Sequence, residues 1–190
     1  ELVDIYRHYA VEEVRGAKTR YYEDVTVGEK LPTQLKGPMT VTGFICYAQG
    51  WGGLYIRANK IAWQQIHKHP GLGITNRFNI PDCPERVHWE HDFATEVGAP
   101  GAYDYGPERV SWLTHHLTNW MGDDGFLASH KSRIRRHNPE GDVLYINGEV
   151  SKKYVDDQGC HCIEITHEAR QQDDEVSIQG TGVVVLPSRG

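Results

Sequence analysis

The sequence predicts an α+β domain in which an antiparallel sheet wraps around one long helix. Three observations carry this reading. Val110, Leu113, Thr114, Leu117 and Met121 recur at helical spacing, and Trp112 and Trp120 make the flanks apolar too, so the helix is expected to be buried on most sides. Four long strand-like runs follow it, at 126–137, 143–155, 160–171 and 176–186, with hydrophilic turns between them. The chain has 190 residues, 38% hydrophobic and 24% charged, enough for a core that needs neither disulfides nor metal.

The elements follow in order. Leu2, Ile5, Tyr6, Tyr9 and Val14 describe an amphipathic helix with Gly16 as its stop. Residues 23–29 form a turn into an extended stretch ending at Gly37-Pro38. Thr40 or Thr42 caps a short helix through Phe44, Ile45, Tyr47 and Ala48, broken by the glycines of residues 50–53. A second helix spans about 54–67, and residues 71–84, rich in Gly, Pro, Asn and Asp, read as a long loop of the kind that often carries function. Pro107 opens the long helix, which stops at residues 122–125. The short turns between the last four runs predict a meander of antiparallel neighbours. With no repeat and no low-complexity linker, the expectation is one domain over 1–190, with a helical extension at 1–20 and an insert at 51–87.

Composition narrows the function classes. With 20 Lys+Arg against 26 Asp+Glu, net −6, a dedicated nucleic-acid binder is not expected. No apolar run reaches the roughly 18 residues of a membrane span. The four cysteines, Cys46, Cys83, Cys160 and Cys162, make no disulfide scaffold, and Cys160-x-Cys162 lacks a second Cys/His pair at zinc-ribbon spacing. Reduced thiols, no metal and a cytoplasmic location are therefore expected.

Several strings resemble the hotdog-fold MaoC-like family of enoyl-CoA hydratases and acyl dehydratases. Residues 22–29, Tyr-Glu-Asp-Val-Thr-Val-Gly-Glu, look like the family's opening strand. His88-x-Glu90-x-x-Phe93-Ala94 is similar to its His-x-Asp-x-x-Tyr/Phe-Ala segment, with Glu in place of Asp. Tyr105-Gly106 stands where the family has His-Gly, and Asn138-Pro139-x-Gly141-Asp142 is similar to its turn from Pro to Gly-Asp. The likeness runs from about residue 22 to 187. It implies a lyase that adds water to a 2-enoyl-CoA thioester or removes it from a 3-hydroxyacyl-CoA, with no metal or redox cofactor. It also implies a homodimer, or a heterodimer with a related hotdog chain.

That resemblance assigns the candidate residues. His88 is the base that takes a proton from water, since an imidazole titrates near neutral pH. The family's Asp stands five residues before its His, a position held here by Cys83, so Asp82 is the first candidate carboxylate and Asp104 the second. Asp104 could equally cap the long helix, and Asp82 the loop beside Pro81 and Pro84. The Gly106 N–H, ahead of Pro107, is the donor to the thioester oxygen, with Tyr105 beside it. Trp51 either lines an acyl pocket or covers the insert as ordinary core. Arg135 and Arg136, in the densest positive cluster, either meet coenzyme A phosphates or mark the solvent face of a strand. The displaced Asp leaves an alternative: a non-catalytic hotdog subunit that completes a partner's site or binds an acyl thioester.

Overall fold

In the computed structural model, which describes residues 2–190, five α-helices and seven strands follow along the chain. They are α1 (Leu2–Ala10), β1 (Gln34–Lys36), α2 (Val41–Trp51), α3 (Asn59–Lys68), β2 (Ile74–Thr75), β3 (Pro81–Asp82), α4 (His91–Glu96), α5 (Gly106–Met121), β4 (Phe126–Ile134), β5 (Leu144–Val155), β6 (His161–Gln171) and β7 (Val176–Val185). These elements form two compact units. One holds the chain up to Pro38 with Gly106–Asn138 and Asp142–Gly190; the other holds Met39–Tyr105 with Pro139–Gly141.

The first unit is the expected sheet on a helix. Five antiparallel strands in the order β1-β5-β6-β7-β4 pack on α5. Leu117, Trp120 and Met121 of α5 meet Val150, Ile163, Ile165 and Val184 of the sheet in the core. Ser111, His115 and Thr118 face outward, so α5 buries one broad face rather than most of its surface. Leu117 lies so close to β7 that a Cβ on Gly182 would overlap its Cδ1. Only glycine permits that approach. On the other side, Ile5 of α1 packs with Leu35 of β1 and Val143.

Two sequence expectations change here. The N-terminal helix ends at Ala10, not near Gly16, and residues 11–21 run as irregular chain; Glu1, the first residue of the expected extension, lies outside the described residues. Arg15 holds that irregular course by donating to the carbonyls of Lys18 (2.8 Å) and Thr19 (3.1 Å). The last four strands are also not a meander, because β4 pairs with β7 rather than β5. The link from residue 135 to 143 can reach about 30 Å when extended, against about 14 Å for three strand spacings, so a short connection does not force adjacency. Gln171 and Gln172 hold the link down: Gln171 Nε2 donates to the His137 carbonyl (2.9 Å), and Val143 N–H donates to Gln172 Oε1 (2.9 Å).

The second unit contains the insert. Thr40 is the cap of α2, its Oγ1 accepting from Gly43 N–H at 3.0 Å, and Gly52 ends that helix in the left-handed conformation (φ 92°). Thr40→Ala is expected to lower stability by about 1 kcal/mol in urea denaturation, because an N–H in the first turn of α2 loses its acceptor. The helix expected at 54–67 starts only at Asn59. Before it, the Arg57 guanidinium donates to the carbonyls of Gly53 (3.1 Å) and Ile56 (2.6 Å), which holds the chain in a turn. Residues 71–84 are not one open loop: β2 and β3 pair as a small antiparallel hairpin. Its tip is organised by Asn76, whose Oδ1 accepts from Phe78 and Ile80 N–H. Pro139–Gly141 joins this unit through Glu140 N–H to the Ala102 carbonyl (2.8 Å) and Gly141 N–H to the Met39 carbonyl (2.9 Å).

Candidate active site

His88 ends a 3-10 turn, Pro84–His88, that Pro84 opens. Its ring is fixed from three directions by the strip 103–105. Nδ1–H donates to the Tyr103 carbonyl at 2.7 Å, since a carbonyl can only accept. The Tyr105 ring stacks on the imidazole at 3.7 Å and 28°, and the Tyr103 ring meets it edge-on at 4.8 Å and 70°. In the neutral ring this puts the proton on Nδ1 and the basic lone pair on Nε2. A histidine oriented by a hydrogen bond at one nitrogen presents a defined lone pair at the other, an arrangement compatible with taking a proton from water.

Asp104 lies within the same strip and is fully buried, as is Tyr105, at 0% and 4% exposure. Asp82 is differently placed. Its Oδ2 accepts from Asn76 Nδ2 (3.1 Å) and lies 3.9 Å from Arg86 Nε, while its Oδ1 accepts from Cys83 N–H (2.7 Å). Both oxygens therefore serve the β2–β3 hairpin and the turn after it. Burial pushes the Cys83 thiol up, so the residue at the family's Asp position is a protonated thiol rather than a base.

Sequence reasoning missed the group that holds this turn. Arg86 is 2% exposed. It donates to Glu90 Oε2 (2.6 Å) and the Ile74 carbonyl (3.2 Å), and it covers the Phe93 ring at 4.5 Å. Glu90, read from sequence only as a replacement for Asp, is thus the acid that fixes Arg86. Glu85 is also buried, its Oε1 accepting from Tyr55 N–H at 2.7 Å, which ties the insert to the His88 turn. Nothing in the spacing of Glu85 or Arg86 marks them, because surface and buried charges look alike in one sequence.

Trp51 ends α2, 42% exposed, and packs against Tyr47 (6.0 Å) and Tyr105 (6.2 Å). Gly106 is the first residue of α5, one position before the predicted start. Arg135 and Arg136 stand just past β4, both backbone N–H groups donating to the Ser177 carbonyl. The Arg136 guanidinium pairs with Asp173 (3.4 Å) and Glu175 (3.7 Å), so its charge is already balanced by local acids. Among the described residues, no group of three or more His, Cys, Asp and Glu is arranged to hold a metal ion, and no helix is long and apolar enough to cross a membrane.

Neither a protein-family model nor a curated protein sequence matches the chain. Solved structures do. The (R)-hydratase PhaJ1 from Pseudomonas aeruginosa superposes with a TM-score of 0.64 at 13% identity, over 90% of this chain and 88% of that one. A MaoC-like dehydratase from Rhodospirillum rubrum gives 0.62 at 14% identity, over 90% and 99%. The ChsH1–ChsH2 complex from Mycobacterium tuberculosis gives 0.59 at 16% identity, over 85% and 98%. The element order, the five-stranded sheet on α5 and these superpositions together establish that this chain has the hotdog fold of MaoC-like dehydratases and (R)-hydratases.

Proposed function

We propose that the chain is a hydro-lyase that adds water across the double bond of a 2-enoyl-CoA or removes it from a 3-hydroxyacyl-CoA. The observation that carries this reading is the orientation of His88, with Nδ1–H on the Tyr103 carbonyl and the basic lone pair on Nε2. His88 takes a proton from water as the oxygen bonds to the β-carbon, the electron pair passes to the thioester oxygen, and a proton returns to the α-carbon. The N–H of Gly106, at the positive end of α5, is the donor assigned to that oxygen, where a preorganised dipole costs no reorganisation. Asp104 takes precedence over Asp82 as the partner carboxylate, because it lies buried in the strip that holds the His88 ring.

A second reading has its own support. The engaged Asp82 and the likeness to a two-chain complex fit a hotdog subunit that completes a partner's site. Either reading implies association with another hotdog chain. β4 is an edge strand nine residues long, paired on one side with β7, and it exposes Phe126 (69%) and Ile134 (43%). An open edge of this length invites pairing with another chain. Light scattering after size exclusion at micromolar concentration is expected to return twice the monomer mass of 21.6 kDa or more. Enoyl-CoA hydration assayed on the isolated chain separates the two readings. Turnover alone establishes the enzyme; silence relieved only by a co-expressed hotdog partner establishes the subunit.

A further inference from the structure

Resting on the thioester reading above, we propose that the acyl group carries an aromatic ring, and that Trp51 is the residue that selects it. The observation is a continuous run of rings leading away from His88. Tyr105 stacks on His88 at 3.7 Å, Tyr47 and Trp51 pack on Tyr105 at 5.8 and 6.2 Å, and Tyr47 and Trp51 stack on each other at 6.0 Å and 23°. Tyr105 is buried, but the indole of Trp51 is 42% exposed. The chain then presents Leu54, Tyr55 and Ile56 to solvent, at 58%, 38% and 36% exposure.

This apolar strip is held in place rather than left as a loose loop. Arg57 clasps the carbonyls of Gly53 and Ile56, and Tyr55 N–H is taken by buried Glu85 at 2.7 Å. Glu85 stands in the same 3-10 turn as His88. The strip is therefore fixed relative to the proposed base by covalent continuity and a buried carboxylate. Apolar side chains held open to solvent have a cost in water, and they fit the apolar acyl end of a thioester whose β-carbon receives the water that His88 deprotonates. The exposed member joined to that centre through ring contacts is the indole of Trp51, whose π-system offers a face to pair with. Such a face favours a ring over an alkyl chain of equal size, because offset aromatic pairs contribute a factor of about 2–13 beyond buried area.

The test uses the full chain and saturated thioesters, so that binding is read without turnover. By titration calorimetry, 5-phenylpentanoyl-CoA is expected to bind about 3–10-fold more tightly than octanoyl-CoA. In Trp51→Ala that ratio falls to about one, and in Trp51→Phe most of it remains. Equal affinities in the wild type, or a ratio unchanged in Trp51→Ala, overturn the proposal. Hydration of 5-phenylpent-2-enoyl-CoA is measured in parallel. A retained binding preference without hydration would leave the aromatic site standing and remove the hydratase reading, whereas hydration without preference would do the reverse.

Discussion

If the proposed hydro-lyase reading holds, replacing His88 by Ala is expected to lower hydratase turnover by roughly 10²–10⁴-fold, the usual worth of a positioned general acid–base group. The loss is expected in kcat, with substrate affinity changed little, because the proposed role of the imidazole, held by the Tyr103 carbonyl and the Tyr105 ring, is proton transfer rather than binding. The fold is not expected to fail, since His88 sits on the partly exposed side of its turn while buried Arg86 and Glu85 anchor the other. Two further variants place the carboxylate. Asp104→Asn is expected to lose activity on the same scale, and Asp82→Asn to stay within a few-fold of wild type: its amide oxygen still accepts from the Cys83 N–H, and although its NH2 cannot accept from Asn76 Nδ2, the tip keeps Asn76 Oδ1 accepting from Phe78 and Ile80 N–H. Steady-state rates with one enoyl-CoA, beside circular dichroism of each variant, decide this. A well-folded His88→Ala protein of near-full activity would remove His88 from the chemistry.

Acid sensitivity above the carboxylate range is the second large effect. His116 on α5, His167 on β6 and His130 on β4 form a row under the sheet: His116 stacks with His167 at 5.9 Å, and the Nε2 atoms of His167 and His130 lie 3.0 Å apart. One of those two nitrogens carries a proton and donates it to the other, so the pair is arranged for neutral rings. Burial, with the neighbouring His116 and His130 adding to it, pulls His167 down to about 3. Burial also lowers His116 and His130. Above pH 6.5 the folded and unfolded chains are both neutral at His167, and stability does not depend on it. Below pH 6.5 only the unfolded chain takes the proton, so stability is lost at about 1.4 kcal/mol per pH unit until the folded ring titrates near 3. At pH 5 the His167 share alone is about 2 kcal/mol. Urea unfolding at pH 7.5 and pH 5.0 reads this directly, and in His167→Leu the difference between the two pH values is expected to shrink by that amount. An equal acid loss in wild type and variant would place the sensitivity elsewhere.

The same histidines show why part of the molecule is legible from sequence and part is not. Periodicity alone locates the long helix and the last four strands to within about three residues, because each buries one face against a core and must repeat at 3.6 or 2 residues to do so. Thr40 is legible as a cap for a similar reason: the helix end has orphan donors, and the side chain that meets them is local. The pairing of β4 with β7 is not legible, since the link between β4 and β5 is long enough to cross the sheet and sequence carries no measure of where it lands. Nor are the burial of Arg86 and Glu85 or the row of three histidines, because a charged or titratable residue reads the same whether solvated or paired inside. For the candidate site, the resemblance singles out His88, but only tertiary structure sets its ring on Tyr103 and Tyr105 and engages Asp82 in a hairpin. What the sequence alone determined about this protein is where chain must be buried, since burial imposes a local period. What the tertiary structure decided is which polar groups meet, since hydrogen bonds between residues far apart in the chain leave no period to read.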